Sequence, residues 1–178
     1  MNKDLIALFG SWEQALGTIL AAIGSTPSLN KMLQSNFSLV GNIMQATGNT
    51  LIADSINKYS LSKVGNEIQA IGNSTVIVGL LLFEHSEGKK VELSIKGNLL
   101  QALGSSTSIP DLLDRHQVSN ETLYSIYGAL LQVIGNSLQA ISGIIQLKGQ
   151  RALNVNFVGS WIQAVGAVIQ AFIQSKNK

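Results

Sequence analysis

One eight-residue pattern is written six times along this chain. It reads glycine, a small residue, two mostly apolar residues, glutamine, usually alanine, one variable residue and glycine again. The copies are GSWEQALG (Gly10 to Gly17), GNIMQATG (Gly41 to Gly48), GNEIQAIG (Gly65 to Gly72), GNLLQALG (Gly97 to Gly104), GALLQVIG (Gly128 to Gly135) and GSWIQAVG (Gly159 to Gly166). The repeats start 31, 24, 32, 31 and 31 residues apart, a period that suits one helix and one connection per unit. Within each copy the glycines stand seven apart. In a strand, residues seven apart face opposite sides; in an α-helix they lie within about 20° of each other. The spacing therefore predicts helices that carry their glycines on one face.

Lettered from the glycine as a, the unit has Asn or Ser at b, glutamine at e, alanine at f and large apolar residues at c, d and g. The apolar positions form one arc of roughly 100°. The expected packing puts that arc toward a common core, with the glycines at its rim letting helix backbones approach. Each glycine costs about 1 kcal/mol of helix propensity relative to alanine, so packing must return that stability. The glycines assigned to helix contacts are Gly10, Gly17, Gly41, Gly48, Gly65, Gly72, Gly97, Gly104, Gly128, Gly135, Gly159 and Gly166. The repeat glutamines Gln14, Gln45, Gln69, Gln101, Gln132 and Gln163 have two readings. They form the solvated side of amphipathic helices, the simpler reading, or they hydrogen-bond between helices, since an amide both donates and accepts. Trp12 and Trp161 share one motif position in the first and last copies and are expected in the core.

One stretch resists the helical period. Val76 to Phe83 is nearly all apolar, and Val91, Leu93 and Ile95 then alternate with polar residues. A β-hairpin over residues 76–96 is the alternative there to a long third helix.

Composition narrows the function classes. Charged residues are 12% of the 178, about half the usual share of roughly 25%, so Asn, Gln, Ser, Thr and Gly must cover the surface, or part of it does not meet water. The net charge of +2 with no basic run beyond Lys89-Lys90 argues against a nucleic-acid partner. The chain has no cysteine, which removes disulfides, thiolate catalysis and Cys-ligated metals. His85 and His116 lie in polar linkers without the spacing of a metal site. No nucleophile elbow, phosphate loop or paired-histidine motif is present. No catalytic residue, cofactor or metal is therefore expected, and the chain is not read as an enzyme. The N-terminus lacks a clean apolar core followed by a cleavage site, so cytoplasmic residence is the expectation.

Membrane association competes with that view. Residues 122–147 and 152–175 contain no charge, and each is long enough to span ~30 Å as a helix. Both carry glutamines, and lysines and arginines occur in nearly every linker, so a soluble or reversibly membrane-associating bundle is favoured over a polytopic one. A Gly/Asn/Gln-rich β-fibre is the third reading.

The repeat G-[NS]-x-x-Q-A-x-G, with GSWxQA near both ends and IGNSLQAI in the fifth unit, resembles a family of small glycine- and glutamine-rich repetitive proteins of unknown function from Gram-positive spore-forming bacteria. The resemblance implies no activity and no site residues. GALLQVIG departs from it at Ala129 and Val133. Taken together, the expectation is an all-α single domain over residues 1–178: about six antiparallel helices joined by linkers of roughly ten to twenty residues. The chain is expected to partner itself as a homo-oligomer, with a lipid membrane as the second candidate partner.

Overall fold

A computed structural model describes residues 2–113 and 119–176. Six long helices carry the six repeats: α1 (Lys3–Gly24), α2 (Lys31–Ser55), α3 (Leu61–Leu82), α4 (Glu87–Thr107), α6 (Asn120–Leu147) and α7 (Leu153–Lys176). The one-turn α5 (Ile109–Leu113) sits between α4 and α6 in sequence. Their starts follow local chemistry: Asn2, Asn30, Ser60 and Ser119 each accept a hydrogen bond from an amide of the first turn, as N-caps do. The end of α6 is a Schellman turn. Gly149 stands at φ 77°, and Gln150 N donates to Ile145 O at 3.2 Å, a conformation glycine adopts without strain.

The β-hairpin given as the alternative at 76–96 does not form; the long third helix does. Residues 76–82 complete α3 and 87–96 open α4, with a four-residue turn at 83–86. The alternation after the turn is met by helix because Val91 and Ile95, four apart, both pack with Ala140 of α6. With helices and no strand among the described residues, the β-fibre reading is overturned as well. The connections at 25–30, 56–60, 83–86 and 148–152 are shorter than expected, because the helices run about one to three turns past the repeat at each end.

Each long helix packs its backbone against two other long helices, and only side chains meet across the middle. The order around the ring is α1, α2, α3, α4, α6, α7 and back to α1. The units are three antiparallel hairpins, α1–α2, α3–α4 and α6–α7. In each, the repeat glycines meet in pairs: Gly10 with Gly48 and Gly17 with Gly41; Gly65 with Gly104 and Gly72 with Gly97; Gly128 with Gly166 and Gly135 with Gly159. Every one of these twelve lies against its partner's carbonyl oxygen. A Cβ built on Gly135 would stand 2.6 Å from Gly159 O and 2.6 Å from Gln163 N. The identical pairing makes the three hairpins equivalent around one axis.

The first and last helices close the ring. Ala15 packs with Ala167 and Ala171, flanked by Trp12 and Val168. Trp12 meets Phe172 edge to face at 5.1 Å and donates Nε1–H to Ser175 Oγ at 3.0 Å. Trp161, expected in the core beside it, instead lies on the outer surface near Phe157.

The expectation that the apolar arc faces a common core is overturned. Among the described residues only five large apolar side chains are buried (Ile6, Val76, Val91, Ile95 and Ile173), while thirty are exposed, including Phe9 at 65%, Ile71 at 59% and Leu103 at 53%. The reason lies on the helical wheel. Glycine at a contacts the hairpin partner and alanine at f contacts the next hairpin, about 140° away at 3.6 residues per turn. Positions e and b fall between those two contacts and must face the axis. Positions c, g and d are left outside.

A glutamine septum between two polar vestibules

The six repeat glutamines are all buried, none more than 6% exposed, so the solvated-stripe reading fails. They come together at the centre of the ring in two layers of three. Gln14 Nε2 donates to Oε1 of Gln69 at 3.4 Å and of Gln132 at 3.2 Å; these residues sit on α1, α3 and α6, the first helices of the hairpins. Gln163 Nε2 donates to Oε1 of Gln45 at 2.9 Å and of Gln101 at 3.2 Å; these sit on α7, α2 and α4, the second helices. The glycine pairing puts all six Cα atoms near one height. Helical side chains lean toward their own N-terminus, so antiparallel helices send the two sets apart.

Each layer faces one mouth of the ring. Gln45, Gln101 and Gln163 floor a vestibule of about 460 Å³ whose wall includes Ser38, Ser94 and Asn98. Lys31, Glu87, Lys90 and Arg151 line the same vestibule. Gln14 and Gln69 floor a second vestibule of about 340 Å³ at the opposite end, lined by Ser62, Ser125 and, near the N-terminus, Lys3 and Asp4. The α6–α7 hairpin adds a glutamine to each side. Gln139 Nε2 donates to Gln163 Oε1 at 2.9 Å, and Gln132 Nε2 donates to Gln170 Oε1 at 2.6 Å.

Four residues beyond each glutamine stand Thr18, Asn49, Asn73, Ser105, Asn136 and Ala167, all 2% exposed or less. Thr18 and Ser105 return their hydroxyls to a carbonyl of their own helix. Asn49 Oδ1 and both amide atoms of Asn73 and of Asn136 have no hydrogen-bond partner. Buried amides are costly to leave unpaired, so these three leave hydrogen-bonding capacity unspent one helical turn from the glutamines. Sequence reasoning missed them; their signal was the Asn or Ser that recurs at position b in both turns of the repeat.

The chain belongs to DUF6944, a family of unknown function. The match runs over residues 5–171, all six repeats included. No curated protein and no solved structure matches the chain. The family thus brings the fold no assigned chemistry. Among the described residues no three His, Asp or Glu side chains come together. His85 is exposed in the α3–α4 turn; His116 and Asp114 lie outside the described residues.

Proposed function

We propose that the protein is a non-enzymatic, membrane-embedded helical bundle, with its apolar belt against lipid and its polar axis shielded inside. One observation carries the reading: the amphipathic faces are inverted relative to a protein folded in water, with amides at the centre and large apolar side chains outside. In water such a belt is an interaction surface; in lipid it needs no cover. Helices α1, α6 and α7 are long and apolar enough to cross a bilayer, and small residues at helix contacts provide the close dispersion packing that holds helices together in lipid. The amides neither titrate nor make useful nucleophiles, so no reaction is assigned to them.

A second reading has its own observation. The α3–α4 hairpin carries Glu67 and the Glu92–Lys96 ion pair (2.6 Å) on its exposed face, where lipid would be unfavourable. That face suits water or another protein, and a cytoplasmic homo-oligomer would cover the remaining belt with copies of itself.

The absence of native cysteine makes the test clean. Single cysteines replace Val165 on the outer belt and Ser38 in the first vestibule, and the protein is followed through membrane flotation and labelling with a polar maleimide. The lipid reading expects flotation with the membrane, slow labelling of Val165→Cys and faster labelling of Ser38→Cys. Monodisperse monomers in the aqueous fraction with a freely reactive Val165→Cys would sink both readings. Aqueous oligomers with a protected Val165→Cys would select the second.

A further inference from the structure

We propose that the ring axis is a path for small uncharged hydrogen-bonding solutes, with the two glutamine layers as its gate; this rests on the membrane reading. Three observations converge. The vestibules enter from opposite ends and stop on opposite faces of the same septum. The septum is built from amides and hydroxyls and contains no charged side chain: Gln14, Gln45, Gln69, Gln101, Gln132 and Gln163, then Thr18, Asn73 and Asn136 on one set of helices and Asn49 and Ser105 on the other. Finally, Asn49, Asn73 and Asn136 hold polar atoms that are fully buried and unpartnered.

The chemistry selects the solute. An amide donates and accepts through separate atoms, so a polar molecule can replace one glutamine as the partner of another without leaving a group unpaired. The bonds from Gln14, at 3.2 and 3.4 Å, and the bond from Gln163 to Gln101, at 3.2 Å, are longer than the usual 2.9–3.0 Å, so each layer holds a bond that a solute can replace. Opening requires glutamine side chains to rotate and leaves the glycine seams in place. An ion has no such route, because the septum offers no counter-charge for a buried charge. The charges at the mouths, Lys31, Glu87, Lys90 and Arg151 at one and Lys3 and Asp4 at the other, stop short of the septum.

The test reconstitutes the full chain in phosphatidylethanolamine/phosphatidylglycerol vesicles and follows light scattering after a glycerol gradient, with K⁺ and H⁺ fluxes read by dyes. Expected are glycerol entry several-fold faster than in empty vesicles and ion fluxes no faster. Gln14→Ala, which removes the donor to two partners, should speed glycerol entry, and Asn136→Leu should slow it. Circular dichroism and flotation check that each variant is folded and inserted; if Asn136→Leu is not, Gln14→Ala carries the comparison. If wild type and Gln14→Ala are both inserted and both as tight to glycerol as empty vesicles, the path is overturned while the membrane reading stands. Ion fluxes matching the glycerol flux would overturn the solute class. A chain that does not float with vesicles removes the membrane reading and this inference with it.

Discussion

Gly135 offers the sharpest test of the hairpin seam, because local and tertiary effects on it have opposite signs. Replacing glycine by alanine inside a helix favours the helix by about 1 kcal/mol. At Gly135 the new Cβ would stand 2.6 Å from two backbone atoms of α7, against an ordinary contact of 3.4 Å or more. Backbone atoms cannot rotate away as a side-chain tip can, so α6 and α7 must part locally by about 0.8 Å, a gap that forfeits a quarter to a half of each dispersion contact along it. Overpacking of this kind costs about 1–3 kcal/mol. The net expectation for Gly135→Ala is a loss of up to about 2 kcal/mol, or a melting temperature lowered by up to about 8 °C for a chain of this size. Gly88 is the control. It lies in the first turn of α4, and a Cβ there would meet nothing within 4 Å, so Gly88→Ala should raise stability by a few tenths to about 1 kcal/mol. Thermal unfolding followed by circular dichroism, in whichever medium keeps the chain monodisperse, reads both. The double variant Gly135→Ala/Gly159→Ala should cost less than the sum of its parts, since the first Cβ has already spread the seam the second needs. Equal stabilisation by Gly135→Ala and Gly88→Ala would refute the close-contact account.

Three further expectations follow from the same geometry. Asn136→Leu removes two unpartnered buried polar atoms and should leave the unfolding midpoint unchanged or raised; a loss of more than about 2 kcal/mol would mean that the amide is fully satisfied in the folded state. Trp12→Ala deletes the edge-to-face contact with Phe172 and the bond to Ser175, and because Trp12 is only half-buried it should cost about 2–3 kcal/mol, somewhat below a core truncation. Hydrogen exchange should then rise in α1 and α7 before α3 and α4; uniform exchange would count against α1–α7 being the closing seam. Double-mutant cycles should give a coupling of about 0.5–1.5 kcal/mol between Gln14 and Gln132, which share a layer, and a smaller value between Gln14 and Gln163, which do not; equal couplings would argue against two separate layers.

Much of the secondary structure was legible before any tertiary information. Seven-residue spacing excludes a flat strand for the repeats. The stretch from Val76 to Ile95 left two readings open because its apolar run and alternation suit either structure locally; a turn at 83–86 and burial of Val91 and Ile95 against α6 resolve it. The glutamines were picked out as a group, but their layering depends on antiparallel pairing between helices far apart in the chain. The orphaned asparagines were hidden because Asn at position b reads equally as a solvated residue.

What the sequence alone determined is the helix, the identity of the close-contact residues and the equivalence of the six units, since all three follow from one local period. What it left undecided is which side of each helix is inside. A single amphipathic helix does not specify its solvent, and the larger apolar arc made the conventional choice look natural. The tertiary structure reverses it, because two narrow faces of glycine and alanine, about 140° apart, are where helices touch. Six helices joined through those faces close into a ring, and closure puts amide at the axis and hydrocarbon at the rim.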